Sequence, residues 1–119
     1  MHSPRERGQI GEERAAAHLN SCGFIIVERN YRQKQGEIDI IAVDGEAIVF
    51  CEVKSWERMP SWGLEQALSR RKQGRIIRTS LRFLAEHPNY AHLQPRYDVV
   101  FVQEEVFHLK DAFSGSGAW

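Results

Sequence analysis

Four charged residues, Glu37, Asp39, Glu52 and Lys54, interrupt two apolar runs that together span residues 36–56. Charges are seldom buried unless they are paired or bound to a cation. Their chemistry therefore has two forms. Lysine and carboxylate can neutralise one another, or the carboxylates can hold a divalent cation. Mg²⁺ is commonly bound by one or two carboxylates, with waters and phosphate oxygens completing its shell.

Counting along the chain brings the four together. Asp44-Gly45 marks a hairpin turn between the runs 37–43 and 47–54. A two-residue turn there pairs Glu37 with Glu52 and Asp39 with Phe50. A four-residue loop pairs Asp39 with Glu52 instead. Both registers put all four charges on one face, whereas a one-residue slip scatters them. Like charges directly opposite destabilise a sheet. Two carboxylates about 4 Å apart repel by roughly 4 kcal/mol at an effective dielectric near 20. Lys54 offsets part of this; a cation offsets more. The remaining residues of both runs, Ile38, Ile40, Ile41, Ile48, Val49, Phe50 and Val53, are apolar on both faces, as in central strands.

The elements that must position this hairpin follow from periodicity. Residues 11–22 predict a helix with Ala15, Ala16 and Leu19 on one face and Gly23 as its stop. Glu12 shares that face, so it is either a dipole-stabilising acid near the helix start or a third carboxylate for the hairpin. Residues 24–30 predict a strand, residues 63–86 a long helix ended before Pro88, residues 97–102 a strand, and residues 106–110 a short final one. The order α-β-β-β-α-β implies an α/β fold with a central mixed sheet flanked by helices: the hairpin is antiparallel, and the long helix permits a parallel return. On the long helix, Arg71, Arg75, Arg78 and Arg82 form one stripe, with Lys72 beside it and no acid between residues 70 and 82. The stripe is either a solvated face or a phosphate-binding surface. Ile77, Leu81 and Leu84 supply the apolar stripe. Trp56, Met59 and Trp62 could stack on a base, make a subunit contact or pack in the core.

Bulk properties set the frame. The 119 residues predict a single domain spanning 1–119, with 114–119 a mobile tail. Sixteen basic and sixteen acidic residues balance, so net charge gives no argument for nucleic acid. No apolar run is long enough for a membrane span and no signal-peptide core is present, which predicts a cytoplasmic protein without membrane association. Cys22 and Cys51 are expected as reduced thiols. The five histidines show no metal-ligand spacing, and His87 and His92 are expected on a surface loop.

Asp39 followed by Glu52-Val53-Lys54 resembles the PD-(D/E)XK nuclease signature, with Ile38 where that signature has proline. The segments "GEERAAAHLNSCGF", "ERNYRQKQGEIDIIA", "VFCEVKSW", "RRKQGRI" and "RYDVVFV" resemble the YraN-type bacterial family of predicted endonucleases. That family is distantly related to archaeal Holliday-junction resolvases. The resemblance covers residues 8–113 and implies a restriction-endonuclease-like fold. It further implies Mg²⁺ or Mn²⁺ on Asp39, Glu52 and the Val53 carbonyl. Lys54 would orient the attacking water or stabilise charge on the phosphate. Glu12 matches the first-helix glutamate of the resolvase-like group, Glu37 belongs to the "GEID" motif, and Lys72 matches a family lysine near the start of the long helix. The expected activity is metal-dependent hydrolysis of phosphodiester bonds in structured or branched DNA, with a homodimer as the expected assembly. The other reading is a non-catalytic module that binds nucleic acid or a protein partner and keeps the fold.

Overall fold

A computed structural model describes residues 3–55 and 67–114. The chain begins with helix α1 (Pro4–Ser21). Strands β1 (Ile25–Gln33), β2 (Gly36–Asp44) and β3 (Ala47–Ser55) follow, then helix α2 (Arg70–Glu86), a single 3₁₀ turn (Pro88–Tyr90), and strands β4 (Gln94–Val102) and β5 (Val106–Phe113). The sheet order is β1-β2-β3-β4-β5. All neighbours are antiparallel except β3 and β4, which run parallel across the α2 connection. The mixed α/β sheet expected from the sequence is thus present, and the short final strand is a full edge strand.

The helices cover opposite faces. Under α1, Ala15, Ala16 and Leu19 pack on Phe24, Ile40, Ala42, Val49, Cys51 and Val100. Under α2, Ile76, Ile77 and Phe83 pack on Tyr31, Ile38, Ile41, Phe50, Tyr97 and Val99. No helix among the described residues is long and apolar enough to cross a membrane.

Three boundaries differ from the sequence expectation. Helix α1 starts at Pro4, not Gly11. Ser3 accepts from the Glu6 N–H while Glu6 accepts from the Ser3 N–H, a capping box with proline in the first turn. Helix α2 starts at Arg70 rather than Gly63, capped by the Ser69 side chain on the Lys72 N–H. Of its expected apolar stripe, Ile77 is buried and Leu84 packs on the same core, but Leu81 is 57 % exposed; Gln73, Ile76, Ser80 and Phe83 fill the rest of the buried face. Phe83, wedged among Phe50, Tyr31 and His87, fixes the rotation of the helix. Trp56, Met59, Trp62 and the tail from residue 115 lie outside the described residues.

Each edge strand carries an irregularity. In β1 the pairing shifts between Ile26 and Glu28. In β5 extra residues intervene between Leu109 and Phe113, and Asp111 takes a left-handed φ of 52°. Ile25 on β1 and Phe107 on β5 are exposed.

Helix α1 approaches the end of β3 closely at Gly11. A Cβ there would lie 1.8 Å from Ser55 Oγ and 3.1 Å from Ser55 Cβ. Gly11→Ala should therefore displace α1 and the neighbouring Glu12, or force Ser55 to turn. We expect a melting temperature below wild type, and recovery in the Gly11→Ala/Ser55→Gly double variant, where the added methyl has room and gains helix propensity. Equal melts for the single variant and wild type would show that the approach yields freely.

Candidate active site

The β2–β3 hairpin turns through Gly45-Glu46, with Asp44 opposite Ala47. Gly45 has φ +60° at the first loop position, where the type II′ hairpin turn places glycine. This corrects the expected Asp44-Gly45 turn. The register is the one that sets Asp39 opposite Glu52, reached with two loop residues instead of four.

The ladder between β2 and β3 closes at Ile40 and Cys51. Beyond it the Val53 N–H donates to Asp39 Oδ2 at 2.8 Å. Strand alternation breaks at the same place: Ile38 and Ile41 share the core under α2, while Ile40 belongs to the core under α1. Across β1, in the same register, Asn30 adopts a left-handed φ of 55°. Asp39 thus sits where the sheet opens, and its carboxylate takes up a main-chain donor of the next strand.

Glu52 is 5 % exposed. Its Oε2 lies 3.2 Å from Lys54 Nζ and 3.4 Å from Lys72 Nζ, one lysine from its own strand and one from α2. Asp39 is pushed up to about 8 by burial, by the charge of Glu52, by a hydrogen bond shared with Glu52 and by the charge of Glu12; the Val53 N–H acts in the opposite direction. Burial and the neighbouring carboxyls thus favour the protonated form of Asp39, while Lys54 and Lys72 both face Glu52.

A cleft of about 370 Å³ opens over Asp39, lined also by Pro4, Arg7, Gly8, Glu12, Val53, Lys54 and Ser55. Glu12 stands in the third turn of α1, which removes the helix-start explanation of its charge. Arg29 lies 3.8 Å from it and 2.8 Å from the more exposed Glu13. A second cleft, of about 640 Å³, shares Pro4, Gly8 and Glu12 and adds Arg5, Arg29 and Arg32.

The structure thus brings Glu12, Asp39, Glu52, Val53 and Lys54 together, and adds Lys72. Sequence reasoning places Lys72 with the α2 cations; its side chain instead turns toward Glu52. Glu37 lies apart from this group. It faces Arg32 across β1–β2 and its carboxylate is engaged by that guanidinium. Arg71, Arg75, Arg78 and Arg82 are all exposed, opposite the buried face of α2. Arg82 has an acidic partner after all, Glu86 at 3.0 Å one turn on, just beyond the acid-free stretch that defines the stripe.

The profile of "Uncharacterised protein family UPF0102" matches residues 11–102. The chain belongs to this family. A UPF0102 protein of Frankia casuarinae is 40 % identical over 119 residues, covering 95 % of this chain and 100 % of its own length. One from Halorhodospira halophila is 41 % identical, covering 94 % and 90 %. One from Treponema pallidum is 40 % identical, covering 87 % and 82 %. The UPF0102 match contains every residue of the cleft from Gly11 onward, together with Lys72 and the arginine stripe. The first turns of α1, which supply Pro4, Arg7 and Gly8 to the cleft, precede it.

Proposed function

We propose that this UPF0102 protein is a metal-dependent endonuclease of restriction-endonuclease-like fold, hydrolysing phosphodiester bonds in structured or branched DNA. The observation that carries the reading is Asp39 beside Glu52: carboxyls of adjacent strands brought close where the ladder opens, with Asp39 and Lys54 lining the cleft. Carboxyls forced together against their own charge favour a cation as a third party.

The donor set suits Mg²⁺ or Mn²⁺. Among the described residues no group of three or more His, Cys, Asp or Glu side chains is arranged to hold a metal ion, so the proposed shell relies on two carboxylates and a main-chain oxygen. Two carboxylates with the Val53 carbonyl, completed by waters and a phosphate oxygen, are the kind of shell Mg²⁺ accepts. A divalent ion bound there polarises the phosphate and lowers the pKa of an attacking water. Lys54, held by Glu52 at the cleft edge, is placed to neutralise charge developing on the phosphate. Lys72 steadies Glu52 from the α2 side. Glu12 contributes negative charge from α1, which favours a cation in the cleft. Two copies of the chain would be needed to cut paired strands, so a homodimer belongs to this proposal.

The second reading is a non-catalytic binding module, favoured by the two lysines on one Glu52 oxygen, which could balance the site without metal. Mn²⁺ calorimetry on the wild type and on Asp39→Asn separates the two. Binding that depends on Asp39, followed by cleavage of a four-way junction, supports the nuclease. No Asp39-dependent heat and no cleavage leave the internally paired cluster.

The arginine stripe is tested separately. Replacing Arg71, Arg75 and Arg78 by glutamine should weaken duplex binding about uniformly across sequences. It should also flatten the log–log salt dependence by about one unit for each phosphate no longer neutralised. Fluorescence anisotropy at several salt concentrations reads this. An unchanged slope makes the stripe a solvated face, in keeping with its direction away from the sheet.

A further inference from the structure

At the far end of α1 from the cleft, a second group of side chains converges. His18 and Cys22 are four positions apart, so they share one side of the helix end, where Cys22 is the C-cap. The three intervening residues match a spacing common in zinc sites. His108 meets them from β5. Its Nδ1 lies 3.2 Å from His18 Nε2, and that same Nε2 lies 3.7 Å from Cys22 Sγ. Around tetrahedral Zn²⁺, with Zn–N near 2.0–2.1 Å and Zn–S near 2.3 Å, ligand atoms stand about 3.3 Å apart for two nitrogens and about 3.6 Å for nitrogen and sulfur. Both observed separations are close to edges of such a tetrahedron.

The other nitrogen of His108 is already oriented. Its Nε2 lies 2.8 Å from Oδ2 of Asp98, which is fully buried. Asp98 in turn accepts two bonds of 3.0 Å from the Arg96 guanidinium and one of 3.0 Å from the Asp111 N–H. A carboxylate behind an imidazole is the usual support of a metal-ligating histidine: it fixes the ring and leaves the opposite nitrogen's lone pair outward. Lys110 lies nearby, over the Phe24 ring, and the thiolate that Zn²⁺ requires offsets its charge.

We propose that His18, Cys22 and His108 bind Zn²⁺ with a fourth position open to solvent, joining the end of α1 to β5. As they stand, these three side chains, like every other His, Cys, Asp and Glu group among the described residues, are not arranged to hold a metal ion, and the site forms only on rearrangement. Closing the remaining edge, between Cys22 and His108, falls to the exposed Cys22 thiol, which can turn about its Cα–Cβ bond. The site is independent of the nuclease reading and uses none of its residues.

The test uses the full chain, freed of metal with chelator, kept reduced with a phosphine and titrated with Co²⁺ alone. One equivalent should produce a thiolate-to-metal charge-transfer band in the near ultraviolet, together with the visible bands of tetrahedral Co²⁺. Zn²⁺ should displace it. Cys22→Ser should abolish the ultraviolet band and weaken Zn²⁺ binding at least tenfold in competition with a chromophoric chelator. His108→Asn should do the same. Asp39→Asn should leave the band in place, which separates this site from the carboxylate pair. Absence of the band in the wild type overturns the proposal, as does a band that survives Cys22→Ser. Because Cys22 is exposed, its serine variant keeps the test decisive even if His108→Asn unfolds.

Discussion

Asp39→Asn should eliminate cleavage, by at least about 10²–10³-fold, while melting in chelator at pH 8 at or above the temperature of the wild type. The two halves of this expectation have one origin. Asparagine keeps an oxygen to accept the Val53 N–H, and its Nδ2–H can donate to the neighbouring Glu52 carboxylate. What it removes is an acid whose charged form is opposed by burial, by Glu52 and by Glu12. The folded chain thus loses a liability, and the site loses a ligand. Thermal melts with chelator and with Mn²⁺, beside a junction-cleavage assay, read both halves. A variant that melts well below wild type in chelator and still cleaves would make Asp39 a structural residue.

The same acid predicts a steep pH dependence. Its folded-state pKa of about 8 lies above the ordinary aspartate value of ~4, so between those limits the folded chain holds a proton that the unfolded chain releases. Its stabilising contribution is therefore full below pH ~4, is lost as pH rises toward 8, and changes no further above that. Metal must displace the same proton. Apparent Mn²⁺ affinity should rise about tenfold per pH unit well below 8, about 50-fold in all between pH 6 and 8, and level off above that. Calorimetric titrations at pH 6, 7 and 8 measure it, and the chelator melts of Asp39→Asn should lack the corresponding slope. An affinity independent of pH would mean that Asp39 is already ionised or takes no part in binding.

Residue type and strand parity are enough to bring Asp39, Glu52 and Lys54 together, because both even-shifted registers keep them on one face; Glu37 escapes the rule and pairs with Arg32 instead. The local code ends at the turn. Whether Asp44 or Gly45 opens the loop depends on one left-handed glycine, and the choice decides whether Asp39 faces Phe50 or Glu52. Apolar periodicity starts helix α1 too late because Ser3, Pro4 and Glu6 form a cap before any apolar residue appears; that cap places Glu12 in mid-helix. On α2 the expected stripe holds at Ile77 and Leu84 and fails at Leu81, because Ser80 and Phe83 take the buried positions on either side of it. Lys72 cannot be assigned to Glu52 from sequence, since that ion pair joins α2 to β3 through tertiary packing alone. His108 is likewise remote in sequence from His18 and Cys22, and spacing among histidines alone does not connect them.

The bulges of the two outer strands have a colloidal consequence. A straight outer strand offers a row of unsatisfied amides and carbonyls on which another chain can zip, and Ile25 and Phe107 would add apolar adhesion to such growth. Here the shift at Val27 bends β1, and the left-handed Asp111 bends β5 while giving its N–H inward to Asp98. Both irregularities work against in-register continuation of the outer strands by an identical neighbour, so backbone geometry at each end of the sheet disfavours fibrillar stacking.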